Sequence, residues 1–296
     1  IRKESSNECK YVKKIADSKK IDCKILTWSG TKPKSSLMEL ARKKRYELVV
    51  NYCKKNKILH LMTGHHFDDK LETFYMRSSR KGNIVGLSSI PWIREENYLR
   101  IMRPFLNFPK TRLIQTCKYF NYQWLVDPSN KNDKYERVKV RNKIEKFGKN
   151  KVEELIKKNN FYIKRRVMFE KKISKFFVSY LKFDLFGRFS MKQKDFVRLN
   201  DELKVETIKR ILTTNSGSEY PPRKKPIEEI IKKIMTNDLF KLTLHSNIIT
   251  SNRDQISFTR ESSVTQIIMK DGIYVSPGEN KLWDDRFEVL SIKKKI

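Results

Sequence analysis

The run Ile58-Leu59-His60-Leu61-Met62-Thr63 constrains the fold most, because a nearly unbroken apolar strand is what a parallel sheet buried on both faces requires. It passes through Gly64 into a helix expected over residues 68–79. Upstream, Ser5-Ser6-Asn7-Glu8 supplies capping residues for a helix over residues 6–20, with Val12, Ile15 and Ala16 at helical spacing. Residues 21–28 are a short β-rich run. After the breakers Gly30 and Pro33, residues 34–57 carry Leu37, Leu40, Ala41, Leu48, Val49 and Tyr52 in an amphipathic helical pattern. Helix, strand, helix, strand, helix is the order of a parallel sheet with helical crossovers. The expected fold class is therefore α/β, the later part of a doubly wound domain.

Beyond Pro128 the pattern changes. Residues 137–180 are charged, with helical spacing and no strand signal, and read as a helical connector. Helices at 201–213 and 225–236 then alternate with β runs at 239–250, 255–260 and 286–293, a mixed α+β tail. The domain expectation is 1–134, 135–213 and 214–296.

Charge narrows the partner. Lys and Arg total 66 against 34 Asp and Glu, a formal net charge of +32. Such a surplus attracts a polyanion, and Tyr and Phe interleaved with the basic residues favour nucleic acid over a merely Lys-biased composition. No run approaches the roughly 18 apolar residues of a membrane helix, and no signal peptide opens the chain, so a cytoplasmic protein is expected. Cys9, Cys23, Cys53 and Cys117 form no Cys-x-x-Cys pair and read as ordinary thiols rather than a zinc or iron–sulfur set. The chain opens at Ile1 on what reads as the middle of a loop, so an upstream piece is expected.

Chemistry concentrates in Thr63-Gly64-His65-His66-Phe67-Asp68-Asp69-Lys70-Leu71-Glu72-Thr73, at the carboxyl end of the apolar strand, where open α/β sheets bind ligands. Asp68, Asp69 and Glu72 gather at one end of one helix. The plain reading is a capping arrangement. Two adjacent His residues exceed what capping needs and favour a metal–phosphate or proton-transfer site. A metallohydrolase would need further ligands, and the only other His residues are His60, expected in the buried strand, and His245.

Gly64-His65-His66-Phe67-Asp68-Asp69-Lys70-Leu71-Glu72-Thr73 resembles the Gly-His-His-x-Asp-Asp-x-x-Glu-Thr segment of PP-loop ATP pyrophosphatases that modify tRNA. Ala41-Arg42-Lys43-Lys44-Arg45-Tyr46, Arg103-Pro104-Phe105, Trp124-x-x-Asp127-Pro128-Ser129-Asn130 and Arg137-Val138-Lys139-Val140-Arg141 are similar, in order and spacing, to the lysidine synthetase branch. In the tail, Tyr220-Pro221-Pro222-Arg223, Arg260-Glu261 and Trp283-Asp284-Asp285-Arg286-Phe287 resemble the branch's substrate-recognition segments, with Asp285 in place of a Gly. Thr243-Leu244-His245-Ser246-Asn247 stands where a Gly-Gly-Cys turn belongs, and Lys139 where an Arg does. The Ser-Gly-Gly-x-Asp-Ser phosphate loop of the branch is not among these residues.

The resemblance implies a PP-loop domain, akin to the adenine nucleotide α-hydrolases, that joins free L-lysine to carbon-2 of the wobble cytidine of a CAU-anticodon tRNA(Ile). The expected reaction uses ATP with Mg²⁺, releases AMP and pyrophosphate, and switches the tRNA from Met to Ile identity. It assigns catalysis to Asp69, Asp68, Arg45 and Arg137, with Asp69 also a Mg²⁺ candidate. ATP is expected at His65, His66, Glu72 and Arg103, and tRNA at Lys139, Arg141, Arg223, Arg260, Trp283 and Arg286. A homodimer is among the expectations. The alternatives are tRNA thiolation, disfavoured by the lack of a Cys-x-x-Cys pair, and a fragment that binds tRNA without turnover, expected if the phosphate loop is absent from the protein.

Overall fold

The computed structural model describes residues 5–30, 37–80, 83–96, 98–126, 135–218, 220–252, 254–263, 274–284 and 287–290. Packing divides the chain into two compact units, Ile1–Arg166 and Val167–Ile296.

The first unit contains α1 (Ser5–Ser18), α2 (Leu37–Lys55), β1 (His60–Met62), α3 (Phe67–Ser78), the single turn α4 (Ile84–Leu87), β2 (Ile93–Glu95), β3 (Arg100–Met102), α5 (Lys110–Tyr119) and α6 (Glu136–Glu145). The helix α7 (Lys149–Tyr180) follows, and the division falls within it. The sheet order is β1-β3-β2. β1 and β3 are parallel, pairing His60 with Arg100 and Met62 with Met102, as a crossover connection demands. β2 runs antiparallel to β3. Leu71, Phe74, Leu99, Ile101, Leu106 and Val138 are buried in this unit. The α/β class and the helices α1, α2, α3, α6 and α7 agree with the sequence pattern.

Two expectations change. Residues 21–28 pair with no described strand, and a β-rich run becomes a strand only when a ladder satisfies its N–H and C=O groups. β1 is parallel but not buried on both faces: it is the sheet's edge among the described residues, Met62 is 64 % exposed, and His60 is exposed rather than a core histidine.

The second unit contains β4 (Lys182–Phe183), β5 (Phe189–Lys192), α8 (Gln193–Val197), α9 (Asp201–Ser216), α10 (Lys224–Met235), β6 (Phe240–Leu244), β7 (Asn247–Ser251), β8 (Gln255–Arg260), β9 (Asn280–Trp283) and β10 (Phe287–Leu290). Five antiparallel strands run in the order β4-β5-β8-β7-β6, and β9 and β10 form a separate hairpin. α9 starts where the Asn200 side chain accepts the Leu203 N–H at 2.9 Å and ends at Gly217 with φ 69°, the two signals that bound a helix. α10 places Ile227, Ile230 and Ile234 on one face, and they join Ile249, Ile256 and Phe258 of the sheet in one core. The β run expected over 239–250 is two strands, because His245 (φ 53°) and Ser246 (φ 58°) make a two-residue turn with both central residues left-handed.

Candidate active site

The site begins where the parallel strands end. Thr63 extends the ladder by donating its N–H to Met102 O at 2.9 Å, so the residues after β1 and Arg103 after β3 emerge side by side. The chain then enters α3 with its first donors satisfied. Phe67 N–H reaches Phe108 O at 3.0 Å, and Asp69, in the first turn, accepts the His66 N–H at 3.0 Å. The capping reading of the carboxylates is thus realised by Asp69, which is nevertheless only part-buried and keeps a second oxygen for other partners.

His66 lies between two carboxylates, with Nδ1 3.2 Å from Asp68 Oδ2 and Nε2 3.5 Å from Asp69 Oδ2. The Asp68 approach is an electrostatic contact rather than an aligned hydrogen bond, so His66 Nδ1 is buried without a hydrogen-bond partner. The contact with His66, followed by the Lys110 N–H at 2.7 Å, holds the Asp68 carboxyl below its ordinary range against the opposing effect of burial. His65 Nδ1 is 2.9 Å from Thr63 Oγ1. Burial pushes the His65 imidazole below its ordinary value; Arg103, Arg42 and Arg137 add to this, and Asp69 opposes it. Burial therefore favours the neutral form of the His65 ring.

Glu72 is the most deeply buried carboxylate here, its side chain 3 % exposed. Two arginines one turn apart on α6 hold it: Arg137 Nε meets Oε2 at 2.9 Å and Arg141 Nε meets Oε1 at 2.7 Å. Arg137 also extends toward Asp69 Oδ1 at 3.4 Å and Thr73 Oγ1 at 3.4 Å. The Glu72 contact raises the Arg141 guanidinium above its ordinary value. A pocket of about 360 Å³ opens beside this cluster, lined by His66, Asp68, Glu72, Lys110, Arg141 and Glu145 among others.

Arg103 is buried, donates Nη1 to Pro91 O at 2.8 Å, and leaves Nε without a hydrogen-bond partner; burial lowers its pKa. Asp68, Asp69, Glu72, His65, His66 and Arg137 come together, and Arg103 faces the same cluster electrostatically. Arg45 is exposed on α2, and the α2 charge that acts on His65 is that of Arg42. Arg42 and Tyr46, with the guanidinium 5.2 Å from the ring centroid, belong to the Ala41–Tyr46 segment that carries the resemblance, although neither was singled out there as a site residue. Thr63 opens the stretch in which chemistry concentrates but was given no role there, and the Lys110 backbone N–H carried no sequence signal of its own.

The expected tRNA contacts separate. Lys139 and Arg223 are exposed, and Trp283 is partly exposed, tilted against Phe287 at 5.6 Å. Arg141 is engaged with Glu72. Arg260 is not on the surface: its side chain is 4 % exposed, with Nη1 3.1 Å from Oδ1 of Asp284 and 3.0 Å from that residue's backbone oxygen. Arg286 and the segment Asp127-Pro128-Ser129-Asn130 lie outside the described residues.

A family model described as a PP-loop domain matches residues 1–147. The tRNA(Ile)-lysidine synthase of Wolbachia sp. subsp. Brugia malayi is 30 % identical over 295 residues, covering 97 % of this chain and 67 % of that protein. The one from Orientia tsutsugamushi is 31 % identical over 304 residues, covering 99 % and 67 %. The chain belongs to the tRNA(Ile)-lysidine synthase family. A further tRNA(Ile)-lysidine synthase, from Rickettsia felis, is 29 % identical over 301 residues. The chain spans about two thirds of the length of these relatives. The carboxylate cluster at the carboxyl ends of β1 and β3 lies in the region that the PP-loop model covers.

Mg²⁺ is not accounted for by these side chains. Among the described residues no three His, Cys, Asp or Glu side chains are placed to hold a metal ion, and Asp69 and Glu72 already face arginines. Among the described residues no helix is long and apolar enough to cross a membrane.

Proposed function

We propose that this chain carries the lysine-ligating site of a tRNA(Ile)-lysidine synthase, acting on the wobble cytidine of a CAU-anticodon tRNA(Ile) with ATP and free L-lysine. The observation that carries this reading is the Glu72 clamp beside Asp69 and His65 at the ends of two parallel strands, in a member of that family.

In this reading the cytidine carbonyl oxygen on carbon-2 attacks the α-phosphorus of ATP and pyrophosphate leaves. The ε-amine of lysine then attacks carbon-2 and AMP leaves. Arg137 and Arg103 neutralise phosphate charge, which is where preorganised cations act most strongly. Neutral His65 lines the nucleotide pocket as a hydrogen-bonding ring. Asp69 orients the lysine amine and accepts its proton as the carbon–nitrogen bond forms. Lys139, Arg223 and Trp283 contact tRNA by charge and stacking. The roles divide as catalysis in 1–134, tRNA contacts in 135–213 and substrate recognition in 214–296, a functional division separate from the two packed units.

The test is incorporation of labelled lysine into a CAU-anticodon tRNA(Ile) transcript by the full-length protein, with an otherwise identical transcript carrying U at the wobble position as the control. Lysine incorporated into the first alone, with one AMP released per lysine, is the expected result. Transfer of sulfur, or of nothing, to the transcript overturns the reading.

A further inference from the structure

We propose that Arg141 is a positioning residue: it holds Glu72 in place so that Arg137 can exchange its carboxylate contacts for a phosphate of the nucleotide. This rests on the reading of the site given above.

The two guanidinium groups on Glu72 are unequal. Arg141 makes the shorter contact, 2.7 Å, and its side chain is 25 % exposed. Arg137 is 39 % exposed, and beyond its 2.9 Å contact with Glu72 it makes only approaches of 3.4–3.5 Å to Asp69 and Thr73. Contacts at that length are poorly formed hydrogen bonds. Arg137 is thus the guanidinium held loosely, and it borders the residues at the strand ends.

A buried carboxylate stripped of its only cation is strongly destabilised. If Arg137 alone served Glu72, its departure toward a phosphate would leave a 3 %-exposed anion unpaired, and Arg137 would stay where it is. Arg141 removes that obstacle. It occupies the other oxygen of the same carboxylate, from one turn along the same face of α6. Its raised pKa fits a cation committed to Glu72. The Lys139 side chain, on the same helix, is exposed and free of this geometry.

The test measures equilibrium ATP affinity and tRNA affinity of the full-length protein, its Arg141→Ala and Arg141→Lys variants, and each change combined with Arg137→Ala. Arg141→Ala is expected to weaken ATP binding about tenfold, the range of a charge-assisted contact, while tRNA affinity and its salt slope stay parental. Arg141→Lys keeps the charge and loses the planar fork, and is expected to recover part of the loss. In the Arg137→Ala background, Arg141→Lys, which leaves a cation on Glu72, is expected to cost ATP binding almost nothing more, because Arg141 acts through Arg137. Additive losses in the double variant overturn the proposal. So does a tRNA salt slope shallower by about 0.9 with ATP affinity unchanged, which would make Arg141 a tRNA phosphate contact. If Arg141→Ala fails to fold, the Lys variant carries the same comparison. ATP binding is read directly, so a parental protein that binds ATP but ligates no lysine counts against the proposed function and leaves this comparison standing.

Discussion

Asp68 and Lys110 join two helix starts through a single hydrogen bond: a carboxylate in the first turn of α3 accepts the backbone N–H of the first residue of α5, at 2.7 Å. That N–H has no partner within its own helix, and Pro109, which precedes it, offers no side-chain acceptor. Asp68→Ala is expected to lower stability by about 1 kcal/mol, the usual cost of losing a cap, and Asp68→Asn to lower it by much less. Urea denaturation at pH 7 checks the difference, and equal losses in both variants would show that charge, not acceptance, matters there.

Asp69 separates chemistry from capping. Asp69→Asn retains an acceptor for the His66 N–H, so stability is expected to fall by no more than about 1 kcal/mol. Lysine ligation by the full-length protein is expected to fall on the order of 10²-fold or more, with tRNA affinity nearly unchanged. A variant that ligates at close to the parental rate would return this carboxylate to a capping role.

His65 predicts a pH dependence of stability. Its folded-state pKa lies below the ordinary 6.5, so the unfolded chain binds the proton more readily. The contribution is complete above pH 6.5 and is lost as pH falls from there through the folded value. His65→Asn is therefore expected to lose less stability than the parent between pH 7.5 and 5.5, read as the shift in urea midpoint. The Asp68 carboxyl, held below its ordinary range by His66 and the Lys110 N–H, lies outside this window and does not blur the comparison.

The net charge of +32 predicts that tRNA affinity falls steeply with salt, as bound cations replace condensed counterions. Filter binding across a salt series measures the slope. A nearly flat line would mean that the basic residues serve solvation rather than RNA.

How much of this was legible in the sequence follows from how local each signal is. The start of α3 was readable because Asp69 caps a residue only three positions away. The Ile face of α10 was readable for the same reason. Glu72, by contrast, meets Arg137 and Arg141 across 65 and 69 residues, and nothing local distinguishes an arginine bound for a buried carboxylate from one bound for RNA. Arg260 was read as a surface cation for that reason, although its partner Asp284 lies 24 residues on. The β6–β7 turn was indicated only by the resemblance at residues 243–247, because His245 and Ser246 adopt left-handed backbone without the glycine or asparagine that usually announces it. Residues 21–28 have strand composition, but pairing is a property of two segments.

The net charge has a second bearing on any solution of this chain. Leu59, just before β1, and Met62, at its end, are apolar and 56 % and 64 % exposed. Exposed apolar side chains of this kind favour contact between copies. Mutual repulsion between molecules of high positive charge opposes that encounter at low ionic strength, and added salt removes the repulsion within a Debye length of about 10 Å at 0.1 M. Salt therefore drives two processes in the same direction, weakening the grip on RNA while letting copies stick, and light scattering recorded beside the binding curve is what tells dissociation from aggregation.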